Sequence, residues 1–140
     1  MKFSEMKWGI SAKQLNNINM PQVVEKIWNL YKEKEDYKNF TIDDFWTINV
    51  LEKNKERKLY KYEKVNIIYN MMNFIGFYSD TKLDHVNGVQ RSISDFTHAQ
   101  IASFCHFFFT NDNNLIKKVD AIYEYLDIPT QLAHIDVNSN

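Results

Sequence analysis

The run Phe104–Phe109 constrains the fold of this chain more than any other stretch. It is too short for a buried helix and rich in aromatics, which predicts a strand. A strand apolar on both faces belongs at the centre of a parallel sheet covered by helices. Ahead of it, Ser94 and Asp95 are expected to open a short helix, and Asp112 stands just past its end. Behind it, Asn113–Leu126 spaces Leu115, Val119, Ile122, Tyr123 and Leu126 as one helical face. Pro129 stops that helix, and Gln131–Val137 suits a second strand. The three pieces make a β-α-β unit whose crossover should be right-handed. The expected fold class is therefore α/β and helix-rich, a small parallel sheet flanked by helices, with an all-α bundle as the alternative.

A chain of 140 residues suits one domain with a real core. With only 3 Gly and 2 Pro, long helices are favoured over tight hairpins. A formal charge of −1 supplies no global field to steer nucleic acid or hold a membrane, so any RNA partner needs a local patch or a metal. The single cysteine excludes an intramolecular disulfide, and there is no Cys/His zinc spacing. No apolar run approaches the ~20 residues of a membrane span, and no signal-peptide core is visible, so a soluble, cytoplasmic protein is expected.

Residues 1–19 read as an N-terminal arm or short edge strand, with Phe3, Met6, Trp8 and Ile10 alternating with polar or small residues. Residues 20–77 read as helical. Pro21 stands near the start of a helix striped by Val24, Ile27, Trp28 and Tyr31, and the charged stretch Lys32–Lys38 follows. Thr41 is a suitable N-cap for a second helix carrying Phe45, Trp46, Ile48 and Val50, and Lys53–Lys58 is a polar break. A long helix over about Glu56–Phe77 places Leu59, Tyr62, Val65, Tyr69, Met72 and Ile75 on a core face, with Gly76 near its end. Residues 78–93, with Ser79-Asp80 and Asn87-Gly88, read as a loop. Residues 94–137 form the C-terminal αβαβ unit, and Asn138–Asn140 a tail.

Asp95 and Asp112 are the strongest chemical pair. If the helix and the strand run antiparallel, both acids reach one edge of the sheet. Two carboxylates ~5 Å apart repel by roughly 3 kcal/mol at an effective dielectric near 20. A Mg²⁺ or Mn²⁺ ion removes that penalty and takes such oxygen ligands. Both acids also stand where helix caps and dipole-complementing acids belong, the commoner role for such spacing, and the metal role stays beside it as the alternative. His98, three residues from Asp95, and Thr110, at the strand end, are placed to hold a water or a phosphate oxygen. Each also has a bland role, His98 packed beside its carboxylate and Thr110 as a cap. Arg91 and Lys117-Lys118 offer cations for a phosphate backbone, or simply solvated charge. Cys105 reads as core, and Phe107, Phe108 and Phe109 likewise. No phosphate-binding glycine loop, HExxH or GxSxG motif is present.

The order Ser94-Asp95, His98-Ala99, Ala102-Ser103, then Cys105-His106-Phe107-Phe108-Phe109-Thr110-Asn111-Asp112 and Leu115 resembles the C-terminal half of a PIN-like nuclease. In that family an acid opens the penultimate helix and a hydrophobic strand ends in Thr-x-Asp. Lys117–Ile128, with Ala121-Ile122-Tyr123, is similar to bacterial PIN-like proteins, and the resemblance spans roughly residues 68–137. It implies a small PIN-like parallel sheet and a metal-dependent ribonuclease in which Asp95 and Asp112 are metal-ligating, catalytic acids. The metals there activate water for in-line attack on a phosphodiester. His98, Arg91, Thr110 and Lys117 are then the residues expected nearest substrate. The family's first-strand aspartate has no match in Met1–Asn19, and Asp43, Asp44 and Glu52 compete for a further acid. The resemblance thus leaves open an active enzyme, an inactive C-terminal portion completed by a protein partner or an upstream segment, and a non-catalytic PIN-like or helical interaction domain.

Overall fold

Short polar side chains and left-handed residues decide where the helices begin and end. The computed structural model describes residues 9–80 and 85–136. The Ser11 hydroxyl accepts from the Gln14 N–H (3.1 Å) and starts α1, Ala12–Asn16. Helix α2, Val23–Tyr31, buries Val23, Val24, Ile27 and Tyr31, and a 3₁₀ turn follows at Glu35–Tyr37. Thr41 caps α3, Ile42–Phe45, in a reciprocal box: the Asp44 N–H donates to Thr41 Oγ1 and the Thr41 N–H to Asp44 Oδ2. Thr47 adopts φ 63° and breaks the second expected helix in two, so α4 restarts at Ile48–Lys55. That break keeps Phe45, Trp46 and Ile48 buried but turns Val50 outward.

Helix α5, Lys61–Ile75, has its core face where the spacing puts it, with Val65, Tyr69, Met72 and Ile75 buried. Tyr62 is the exception and reaches the surface. Gly76 ends the helix at φ 97°, a left-handed turn open to a residue without Cβ. The chain resumes in α6, Val86–Ala102, then β1, Phe107–Thr110, α7, Asn113–Tyr125, and β2, Gln131–His134. The two strands pair in parallel, Phe107 opposite Gln131 and Thr110 opposite His134. Leu115, Val119, Ile122, Tyr123 and Leu126 of the α7 stripe are all buried. They join α2, α4 and α5 in one core. The buried Thr130 hydroxyl lies 2.9 Å from the Ala102 carbonyl and 2.7 Å from that of Cys105, tying the start of β2 to the end of α6.

The molecule is thus helix-rich with a small two-stranded parallel sheet. Three expectations need correction. First, α6 begins at Val86, not Ser94, so the end of the expected 78–93 loop is helical. Gly88 lies buried within the helix, so the turn preference of Asn87-Gly88 is not realised. Asp95 therefore lies in mid-helix and caps nothing. Second, β1 is shorter than Phe104–Phe109 and is not buried on both faces. Phe108 and Leu132 pack on the core, whereas Phe107 and Phe109 are each 57% exposed and stack on one another. Only two strands pair among the described residues, and the second face of β1 has no layer of them over it. Third, Cys105 and Phe104 precede the strand and are exposed rather than core. In the expected N-terminal arm, residues 12–16 are helical; the expected second strand stops at His134, and Phe3, Met6, Trp8, Val137 and the tail lie outside the described residues.

Candidate functional site

The C-terminal end of β1, the middle of α6 and the turn after α5 meet at a small cleft. Its volume is about 140 Å³, and Asp80, Gly88, Arg91, Asp95, Asp112 and Asn114 line it. Asp95 and Asp112, far apart in the chain, thus share one cavity, with Arg91 on its wall. That position, outside the carboxyl end of a parallel strand, is where open α/β sheets hold ligands.

Asp112 is the N-cap of α7. Its Oδ1 accepts from the Asn114 N–H (2.9 Å) and the Leu115 N–H (3.1 Å). The capping role is therefore real, and it occupies only one carboxylate oxygen. Thr110 turns its hydroxyl to the same corner and accepts from the Asp112 N–H at 3.2 Å. Asp95 is different: it makes no hydrogen bond with the described residues. Desolvation, then the charges of Asp80 and Asp112, push its carboxyl up to about 6. Lys118 and His98 act in the other direction and do not cancel that shift.

The cleft's back wall is a buried polar network whose partners sequence spacing did not bring together. Lys118 is 0% exposed, and its Nζ donates to Asp80 Oδ1 (2.6 Å) and Asn73 Oδ1 (2.7 Å). It also sits 4.3 Å from the centre of the Tyr69 ring. Asp80 is held further by the Tyr69 hydroxyl (3.0 Å), the Ser92 hydroxyl (2.7 Å) and Asn73 Nδ2 (3.0 Å). Burial pushes the Asp80 carboxyl up, but the Lys118 charge and these donors outweigh it and hold the group below the ordinary range. Burial pulls Lys118 down. A charged pair out of water persists only when its remaining donors and acceptors are met, and here they are.

The remaining candidates fall elsewhere. His98 and Lys117 are exposed and do not line the cleft. Of the Lys117-Lys118 pair, expected either at a phosphate backbone or in solvent, Lys117 is exposed and Lys118 is fully buried. Asp43 accepts from the Tyr125 hydroxyl, Asp44 serves the α3 cap, and Glu52 binds the Leu59 N–H and Lys58. None of these three lines the cleft, and Asp80 does. One signal for Lys118 was present: it sits three residues after Leu115 and four before Ile122, inside an apolar stripe. A lysine there needs a buried acid, though nothing in the sequence singled out Asp80.

The donor set suits a hard cation in part. Asp95 and one oxygen of Asp112 are open to an ion that keeps several waters, as Mg²⁺ and Mn²⁺ do. Asp80 is committed to Lys118. Among the described residues, no three His, Cys, Asp or Glu side chains are grouped to hold a metal. Also among the described residues, no helix is long and apolar enough to cross a membrane. Comparison with protein-family models, curated proteins and solved structures yields no match to this chain.

Proposed function

We propose that the chain is a PIN-like metal-dependent ribonuclease, or a C-terminal portion of one that is inactive by itself. The observation that supports this reading is the convergence of Asp95 and Asp112 on one cleft at the end of a parallel strand. Desolvation and the neighbouring acids disfavour the Asp95 carboxylate there, and a divalent cation is one chemistry that would offset this. Asp95 and Asp112 would hold the ion, which when bound supplies a Lewis acid for phosphodiester hydrolysis. Arg91 on the cleft wall is placed to take a phosphate oxygen, and Thr110 keeps the Asp112 backbone in position.

Two ligating acids make weak binding and weak or no cleavage by this chain alone the expected behaviour. The engagement of Asp80 by Lys118 favours the inactive form of the proposal. Thermal melts with Mn²⁺ or Mg²⁺ against EDTA test it. Metal should raise the Tm of the wild-type chain by mass action, and Asp112→Asn should abolish the gain while keeping the cap. An equal metal response in both proteins refutes the ligand role of Asp112. Absence of a response in either leaves a non-catalytic interaction domain as the better account.

A further inference from the structure

The opposite end of the sheet carries a second surface. Tyr60 and Tyr62, at the start of α5, lie with ring centres 5.8 Å apart and planes within 9°. Phe104, beyond the end of α6, lies next to them, its ring centre 5.7 Å from that of Tyr62 and its plane tilted by 44°. These rings are not core: Tyr60 is 59% and Phe104 76% exposed. The Gln100 side chain donates to the Tyr62 carbonyl (3.0 Å), and Lys61 Nζ donates to the Asp127 carbonyl (3.0 Å), so neighbouring elements hold the rings in place. Apolar cavities of about 340 and 360 Å³ open on either side of Phe104.

Charge distinguishes this surface from a plain apolar patch. The stretch Glu52–Lys64 carries Lys53, Lys55, Arg57, Lys58, Lys61 and Lys64 against Glu52, Glu56 and Glu63. Lys55 and Arg57 share Glu63 and Lys58 pairs with Glu52, which leaves a net excess of three cations in a chain whose overall charge is −1. Arg57 lies over the Tyr60 ring, 4.9 Å from its centre. Ordered rings interleaved with a local excess of cations match the two needs of a single-stranded nucleic acid: faces for its bases and charge for its phosphates. A protein helix docking here would meet the apolar rings but gain nothing from the cations unless it were acidic.

The geometry points to Tyr60, Tyr62 and Phe104 as a stacking platform for unpaired RNA bases, with the Lys53–Lys64 cations along the backbone. This surface lies at the amino ends of β1 and β2, the acid cleft at their carboxyl ends, roughly 13 Å of strand away. It stands whether or not the cleft holds a metal, so binding is measured in EDTA.

Fluorescence anisotropy with a labelled oligouridylate and with an RNA duplex of equal length is the test. The wild-type chain should bind the single strand more tightly than the duplex, and its affinity should fall with salt. Phe104→Ala and Tyr62→Leu should each weaken binding about tenfold, while Phe104→Trp retains it. Tyr62→Leu keeps apolar bulk at the helix start, and circular dichroism confirms that the fold survives. Failure of the wild-type chain to bind, equal affinity in the ring-less variants, or equal binding of duplex overturns the platform. So does a dimer that Phe104→Ala dissociates without any change in RNA affinity, which would make the patch a self-association surface.

Discussion

Arg57 and Lys118 hold their carboxylates at similar distances, 2.8 Å to Glu63 and 2.6 Å to Asp80, yet the two pairs do different work. Arg57 is 41% exposed, and Glu63 is shared with Lys55 and the Tyr60 N–H. Water and salt screen the exposed Arg57 and Lys55 arms of that cluster, while Glu63 itself is 13% exposed. Lys118 is fully buried, and the Asp80 side chain is only 8% exposed, at the cleft wall. Three polar side chains are arranged around them, Tyr69 and Asn73 of α5 and Ser92 of α6. Distance therefore says little about what an ion pair contributes. Burial decides whether breaking it is a local or a global event.

The largest effect should come from Lys118→Met. It leaves Asp80 buried with donors but no counter-charge, a change that costs about 3–5 kcal/mol in comparable pairs. Urea or thermal unfolding should show a loss of that order, and adding Asp80→Asn should recover part of it. A small loss for the single variant would mean that water reaches the network.

An intermediate effect concerns Asp95, whose sign is opposite to that of Asp80. Asp95 titrates in the fold near 6 against an ordinary 3.8, so it contributes stability below about pH 4 that is lost as pH rises through 6. Asp95→Asn should therefore raise the Tm at pH 7 and flatten the profile between pH ~4 and ~6. The Asp80 contribution, with its pKa lowered, is present above the ordinary aspartate value and lost only as pH falls below it. Melts across pH 3–8 separate the two. The smallest effect belongs to Arg57→Ala, whose Tm should stay close to wild type and be insensitive to added salt.

Much of the fold was legible because it follows from periodicity. The α5 and α7 stripes, the Thr41 cap, the Gly76 stop and the parallel β1–β2 pair all rest on local pattern. Residues with tertiary causes were not. The first turn of α6 runs through Asn87-Gly88, a pair that locally reads as a turn, and Val50 is exposed where Thr47 breaks the helix. Phe107 and Phe109 look like core in a run of aromatics, but only burial on both faces would make them so. At the cleft, Asp95 and Asp112 stood out as acids beside a strand. Asp80 and Asn73 did not, because their roles come from Lys118, which reaches them across the fold.

The Thr130 hydroxyl, shared between the Ala102 and Cys105 carbonyls, gives the little sheet a direction in time. Beside it the Gln131 amide donates to the His106 carbonyl at 2.9 Å. At the far end the Ile135 amide donates to Thr110 at 2.8 Å, on an exposed residue next to the cleft. Strand pairing should open from the Ile135 end and close last there, so the Ile135 amide proton exchanges with deuterium well before that of Gln131. Thr130→Val, which keeps the shape and removes the clasp, should bring the two exchange rates together. The sheet should open first at its Thr110–Ile135 end and stay closed at its Thr130 end.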